Sequence, residues 1–167
     1  MTTAEVRRIR ADEWAELRAL RLAALRDSPL AFGSTYEREL AFTPDQWRRW
    51  AADAAAGAEY IAVAADGTRW VAMARGSGDE EDPRSAFVTA VFVAPEWRKR
   101  TLGRAVSESV IDWARRRGCD SIRLHVAGWN DAARHLYESL GFEPTGATEL
   151  LPHDPTITEI EMRLVLR

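Results

Sequence analysis

The chain has 167 residues, 46% hydrophobic and 29% charged, with a formal net charge of −3. That is room for one self-sufficient core and too little positive charge for a nucleic-acid partner, so residues 1–167 read as a single domain. A lone cysteine, Cys119, excludes an internal disulfide framework, and without an apolar signal region or the ~18 apolar residues of a membrane span the expectation is a cytoplasmic protein with no membrane partner.

VRRI (6–9) alternates and predicts a short strand. From 12 to 26, Trp14, Leu17, Leu20, Leu22 and Leu25 fall at helical spacing, and Ser28-Pro29 stops that helix. SPLAFGSTYE (28–37) reads as a loop. Thr43-Pro44-Asp45 opens a second helix, with threonine as N-cap and proline at the first helical position, and Gly57 closes it. EYIAVAAD (59–66) and TRWVAMAR (68–75) predict two strands around an Asp66-Gly67 turn. GSGDEEDPR (76–84) is a polar loop. SAFVTAVFVA (85–94) is nearly continuously apolar, which predicts a central strand.

A helix follows over 100–117, closed by Gly118. Then come a strand over 120–127 and a short helix over 130–140, closed by Gly141. After a weak strand near Phe142, LPHDPT (151–156) reads as a proline-rich loop and TEIEMRLVL (158–166) as the last strand. The order β-α-α-β-β-β-α-β-α-β-β implies an α/β fold of the α+β kind, a mixed sheet covered by helices.

Two stretches carry chemistry. In PEWRKRTLGRA (95–105) a strand runs into a turn and then a helix. The helix's first amides have no internal partner, its dipole adds partial positive charge, and Arg98, Lys99, Arg100 and Arg104 add full charges. An anion site and a solvated basic turn are both open on these residues alone. In NDAARHLYESLGF (130–142), Asn130 is an N-cap and Tyr137 lies about two turns further on the same face, with the small Ala133 between them. Tyr137 on its own is equally a core aromatic beside Leu136 and Leu140.

Together, VFVAPEWRKRTLGRAV and NDAARHLYESLGF resemble the GCN5-related N-acetyltransferase (GNAT) superfamily, over essentially the whole chain. The first is similar to the family's acetyl-CoA loop, R/Q-x-x-G-x-G/A, and the second to its Asn…Leu-Tyr-Glu…Leu-Gly-Phe helix. The resemblance implies an acyl-CoA N-acyltransferase fold, acetyl-CoA as co-substrate, and no metal. It implies that Arg98 takes the R/Q position and that the backbone of Lys99, Arg100, Thr101, Leu102, Gly103 and Arg104 meets the coenzyme's pyrophosphate. Val91, Phe92 and Val93 would pair with the pantetheine arm, and Asn130 would contact the cofactor. Thr101 stands where the family has its first glycine. A threonine suits that place if its φ is negative, and its hydroxyl could donate to a phosphate.

The implied reaction is acetyl transfer to an amine. By resemblance Tyr137 is the acid for the leaving thiolate, and a backbone amide near Val93 is the oxyanion donor. In the strand over 120–127, His125 shares a face with Arg123, while Ile122, Leu124 and Val126 share the other. Histidine titrates near neutral pH, which suits a base; a half-buried structural histidine and a water chain are the alternatives. His135 is expected at the surface, Cys119 as a buried turn residue, and His153-Asp154 lacks a third metal ligand.

The family's acceptor side draws on SPLAFGSTYE and LPHDPT. There Phe32, Tyr36 and Glu37 would hold an amine between aromatic walls and a carboxylate, or Phe32 and Tyr36 simply pin the loop. Glu37, Glu39, Glu80, Glu81 and Asp82 read as acidic loop residues. Three functions stay open: a small-molecule amine N-acetyltransferase, a protein N-terminal or lysine acetyltransferase, and an acyl-CoA-binding module without turnover. The partner is accordingly a small-molecule or peptide amine, and homodimers are common in the family.

Overall fold

The computed structural model describes residues 4–166. The chain runs β1 (Glu5–Arg8), α1 (Trp14–Asp27), α2 (Tyr36–Leu40), α3 (Pro44–Ala56), β2 (Tyr60–Asp66), β3 (Arg69–Gly78) and β4 (Ser85–Val93). A 3-10 turn over Pro95–Trp97 leads to α4 (Leu102–Arg116), β5 (Ser121–Ala127), α5 (Asp131–Ser139), β6 (Glu143–Leu151) and β7 (Asp154–Val165). The strands form one mixed sheet in the order β1-β2-β3-β4-β5-β7-β6. Only β4 and β5 pair in parallel; the other ladders are antiparallel. The expected α/β fold holds, and the expected element order holds except for one added short helix, α2.

Alternation along the strands sends side chains to two opposite cores. Ile61, Val63, Met73 and Phe92 pack with Leu17, Leu25 and Trp47 of α1 and α3. Ala62, Ala64, Val88 and Ile122 pack with Val106, Val110 and Trp113 of α4 and with Tyr137 of α5. Gly76 of β3 lets α4 approach, because a Cβ there would stand 2.7 Å from the Trp113 ring. Helix α3 starts as its sequence requires, with a full capping box between Thr43 and Gln46.

Three expectations need correction. SPLAFGSTYE is not all loop: Thr35 accepts from the Arg38 amide and starts the short helix α2. LPHDPT is not a loop either. Leu151 pairs with Asp154, so Pro152 and His153 make a tight turn between two long strands. The prolines survive because Pro152 sits in the turn and Pro155 lies on β7 before its ladder with β5 begins at Glu159, where a missing donor costs little. Glu39 is no solvated acid. It is 3% exposed and takes a two-pronged hydrogen bond from Arg21, with both contacts at 2.8 Å. Removing one partner of such a buried pair costs about 3–5 kcal/mol.

Candidate active site

The site begins where β4 leaves its neighbours. The β4–β5 ladder holds only at Ser85–Ser121, Ala86–Ile122 and Phe87–Arg123. Beyond Phe87 the two strands part, and the β5 side of Val88–Val93 has no strand on it. On the β3 side the register slips between Met73–Phe92 and Arg75–Thr89, so Ala90 and Val91 oppose Ala74 alone. This is a β-bulge, with Ala90 at φ +56°. Phe92 is buried towards α1, while Val91 and Val93 lie against the α4 side.

Residues 98–104 form the turn between β4 and α4. Thr101 caps α4 at φ +64° and Lys99 also has φ +64°. The condition of a negative φ at Thr101 is therefore not met: a β-branched residue occupies the left-handed region that glycine fills freely. Its hydroxyl donates to the Arg100 carbonyl at 2.6 Å, so it is spent on its own backbone. Left-handed residues beside right-handed ones turn successive amides towards one point, a concavity that suits an anion. The amides of Leu102, Gly103 and Arg104 are the helix's unpaired donors. Arg98 is tied down: it donates to the Val93 carbonyl at 3.0 Å and to Asp27 at 2.7 Å. Ser28 and Arg98 together hold the Asp27 carboxyl below its usual range. The turn is thus shaped to hold an anion, with Arg98 bracing it and Lys99, Arg100 and Arg104 exposed.

Helix α5 stands beside that turn. Asn130 caps it by accepting from the Ala133 amide at 3.2 Å. Gly103 lies against this helix: a Cβ there would sit 3.4 Å from Leu136 and 3.6 Å from Val93. Tyr137 is 8% exposed and packs edge-on against Phe142, ring centroids 5.9 Å apart. Its hydroxyl has no hydrogen-bond partner among the described residues, and burial pushes the phenol above its usual value.

On the opposite face of the sheet the bulge borders a cavity of about 500 Å³. Its walls are Phe32, Phe42, Trp50, Val88–Ala90, His125 and the carboxylates Glu149 and Glu159. Arg21 and Arg75 also line it, neutralised by Glu39 and Glu59. His125 is half-buried, with Nδ1 3.4 Å from Glu149 Oε1 and Nε2 3.5 Å from Glu161 Oε2. Of the expected acceptor residues, Phe32 lines this cavity. Tyr36 and Glu37 do not: they border a separate depression with His153, and Arg26 covers the Tyr36 ring.

Glu159 escaped the sequence reading. Strand TEIEMRLVL places Glu159 and Glu161 on one face, but only the structure shows that face turned into the cavity. Burial and the nearby Glu149 hold the Glu159 carboxyl above its usual value. His135 is exposed and Cys119 is buried, as expected. Among the described residues no group of three His, Cys, Asp or Glu could hold a metal ion, and no helix is long and apolar enough to cross a membrane.

Comparison with known proteins bears on the same elements. Over 77 residues, 46% of this chain, the sequence is 42% identical to a mycothiol acetyltransferase of Kocuria rhizophila, a stretch that covers 25% of that protein. Over 58 residues, 35% of this chain, it is 34% identical to a thialysine N-epsilon-acetyltransferase of Bos taurus, covering 34% of that protein. The chain thus matches about a quarter to a third of the length of these relatives. A GNAT-family acetyltransferase from Streptococcus pneumoniae shares the fold with a TM-score of 0.81, over 98% of this chain and 99% of that one, at 19% identity. A putative acetyltransferase from Salmonella typhimurium, solved with its cofactor acetyl-CoA, gives a TM-score of 0.78 over 99% of this chain and 95% of that one, also at 19% identity. The model of the acetyltransferase (GNAT) family matches residues 14–142, from the start of α1 past the end of α5. The chain belongs to the GNAT family of acetyltransferases.

Proposed function

We propose that this protein is an acetyl-CoA-dependent N-acetyltransferase that moves an acetyl group directly to the primary amine of a small molecule. One observation carries the reading. The opened strand Val88–Val93 has an amide-lined basic turn at its end and a half-open cavity at its bulge. A donor and an acceptor can therefore meet across one strand.

The backbone of residues 99–104 would hold the coenzyme's pyrophosphate, and Val91–Val93 would pair with its pantetheine arm as an added strand does. Asn130 would contact the same arm. Bound there, acetyl-CoA supplies a thioester carbonyl carbon and a thiolate leaving group. The remaining work falls to the chain. A backbone amide near Val93 faces the developing oxyanion. His125 takes a proton from the amine. Tyr137, kept as O–H by burial, donates to the thiolate.

The size of the cavity favours a small acceptor. The cavity falls within the ~300–1,000 Å³ usual for small-ligand sites. The loop over 28–34 is fastened to the β6–β7 turn, with His153 Nε2 2.9 Å from the Pro29 carbonyl oxygen. Two relatives are also named for small acceptors, mycothiol and thialysine.

Thiol release from acetyl-CoA, screened over small amines and over peptides with free amino groups, tests this. Faster release with small amines is expected. Preference for peptides would establish a protein acetyltransferase instead. Tight acetyl-CoA binding without release for any acceptor would establish a binding module.

A further inference from the structure

The chemistry above leaves one cavity-lining carboxylate unused. Glu159 is 6% exposed, lines the cavity, and makes no hydrogen bond or ion pair among the described residues. Its neighbours across the sheet are Ala127 on β5 and Glu149 on β6. Glu149 stands directly opposite, on the same face, where a like charge is unfavourable. A buried carboxylate without a partner is costly to keep. The cavity's arginines offer no relief, since Arg21 and Arg75 already hold Glu39 and Glu59, and the attraction of His125 and His153 only partly offsets burial and Glu149. Arg38 sits at the exposed rim.

We propose that Glu159, with Glu149, anchors the acceptor as its ammonium ion, so that the cavity takes a small alkylammonium with an apolar or aromatic body. The positive group would complete the unmatched end, and Phe32, Phe42 and Trp50 would cover the body. The anchor adjoins the base, because Glu149 Oε1 lies 3.4 Å from His125 Nδ1. The inference deepens the acceptor reading and rests on it for this cavity's role.

Calorimetric titration of the full chain with phenethylamine tests it, with 3-phenylpropanoate as an anionic match for size. Saturable binding of the amine, with Glu159→Gln and Glu149→Gln each weakening it about tenfold or more, is expected. The propanoate should fail to compete. Amine binding unchanged in both variants, equal binding of the propanoate, or no amine binding to the wild type would each overturn the proposal. A tripeptide with a free α-amino group separates peptide N-termini from small amines; its tighter binding would overturn the small-molecule class. Both variants should bind acetyl-CoA as the wild type does. Loss of acetyl-CoA binding in the wild type would count against the transferase reading and leave the ammonium result standing on its own.

Discussion

His125 and Glu161 face each other across the β5–β7 ladder, with imidazole Nε2 3.5 Å from carboxylate Oε2. Glu149 sits at the other ring nitrogen, and Phe87 stacks on the ring with centroids 6.1 Å apart. The imidazole is thus oriented from three sides at the cavity wall. His125→Gln should lower kcat/KM about 100-fold, within the range of a general base, and remove or shift the acidic limb of the pH–rate profile. Acetyl-CoA affinity should hold. A normal rate with an unshifted limb would take His125 out of the mechanism.

Tyr137→Phe separates chemistry from packing. The hydroxyl makes no hydrogen bond and the ring fills the core beside Phe142, so the variant should fold as stably as the parent within about 0.5 kcal/mol. It should bind acetyl-CoA normally and lose roughly 100-fold or more in kcat where chemistry limits the rate. Unchanged kcat in single-turnover experiments would leave Tyr137 a core aromatic.

Thr101→Gly should stabilise the protein. A left-handed non-glycine residue costs about 1–2 kcal/mol, and the entropy of glycine takes back roughly 0.5–1 kcal/mol. A gain of up to ~1 kcal/mol corresponds to about 2–4 °C in Tm for a chain of this size. Since the hydroxyl already donates to the Arg100 carbonyl, acetyl-CoA affinity should stay equal or tighten. Weaker binding, read by calorimetry, would mean that the hydroxyl turns to the phosphate.

Glu159 gives the stability a defined pH dependence. Its folded carboxyl holds a proton more tightly than an unfolded one, through burial and Glu149. Folding therefore favours the protonated form. The advantage is complete below the ordinary carboxylate range and fades as pH rises through the folded pKa. Above both values the ionised group is a net cost. Glu159→Gln should then raise Tm at pH 7, and the gap should close near pH 4. A lower Tm for the variant at pH 7 would contradict this account of the site.

Much of this was legible in the residues. Periodicity located β1 to β5, β7 and each longer helix, β6 showed only as a weak strand near Phe142, and Asn130 and Thr43 capped the helices they were expected to cap. The turn over 95–105 could be found because its signals are local: a strand, positive charges and a helix start. What escaped was non-local. Glu39 looked solvated until Arg21, from another helix, was brought against it. Glu159 looked like an ordinary alternating strand acid until β6 and α3 closed the cavity round it. Prolines in LPHDPT suggested a loop because sequence does not tell a two-residue turn between paired strands from a longer connection. The sign of φ at Thr101 depends on how α4 docks, and glycine's absence there pointed the wrong way.

Acetyl-CoA is expected to bind along the opened strand β4 and the turn into α4. Titration of the 15N-labelled protein with acetyl-CoA tests it most directly. Saturable amide shifts are expected, largest at residues 99–104 and Val91–Val93, with Asn130 following. No shift at millimolar acetyl-CoA, or shifts confined to surfaces away from β4 and α4, would contradict it.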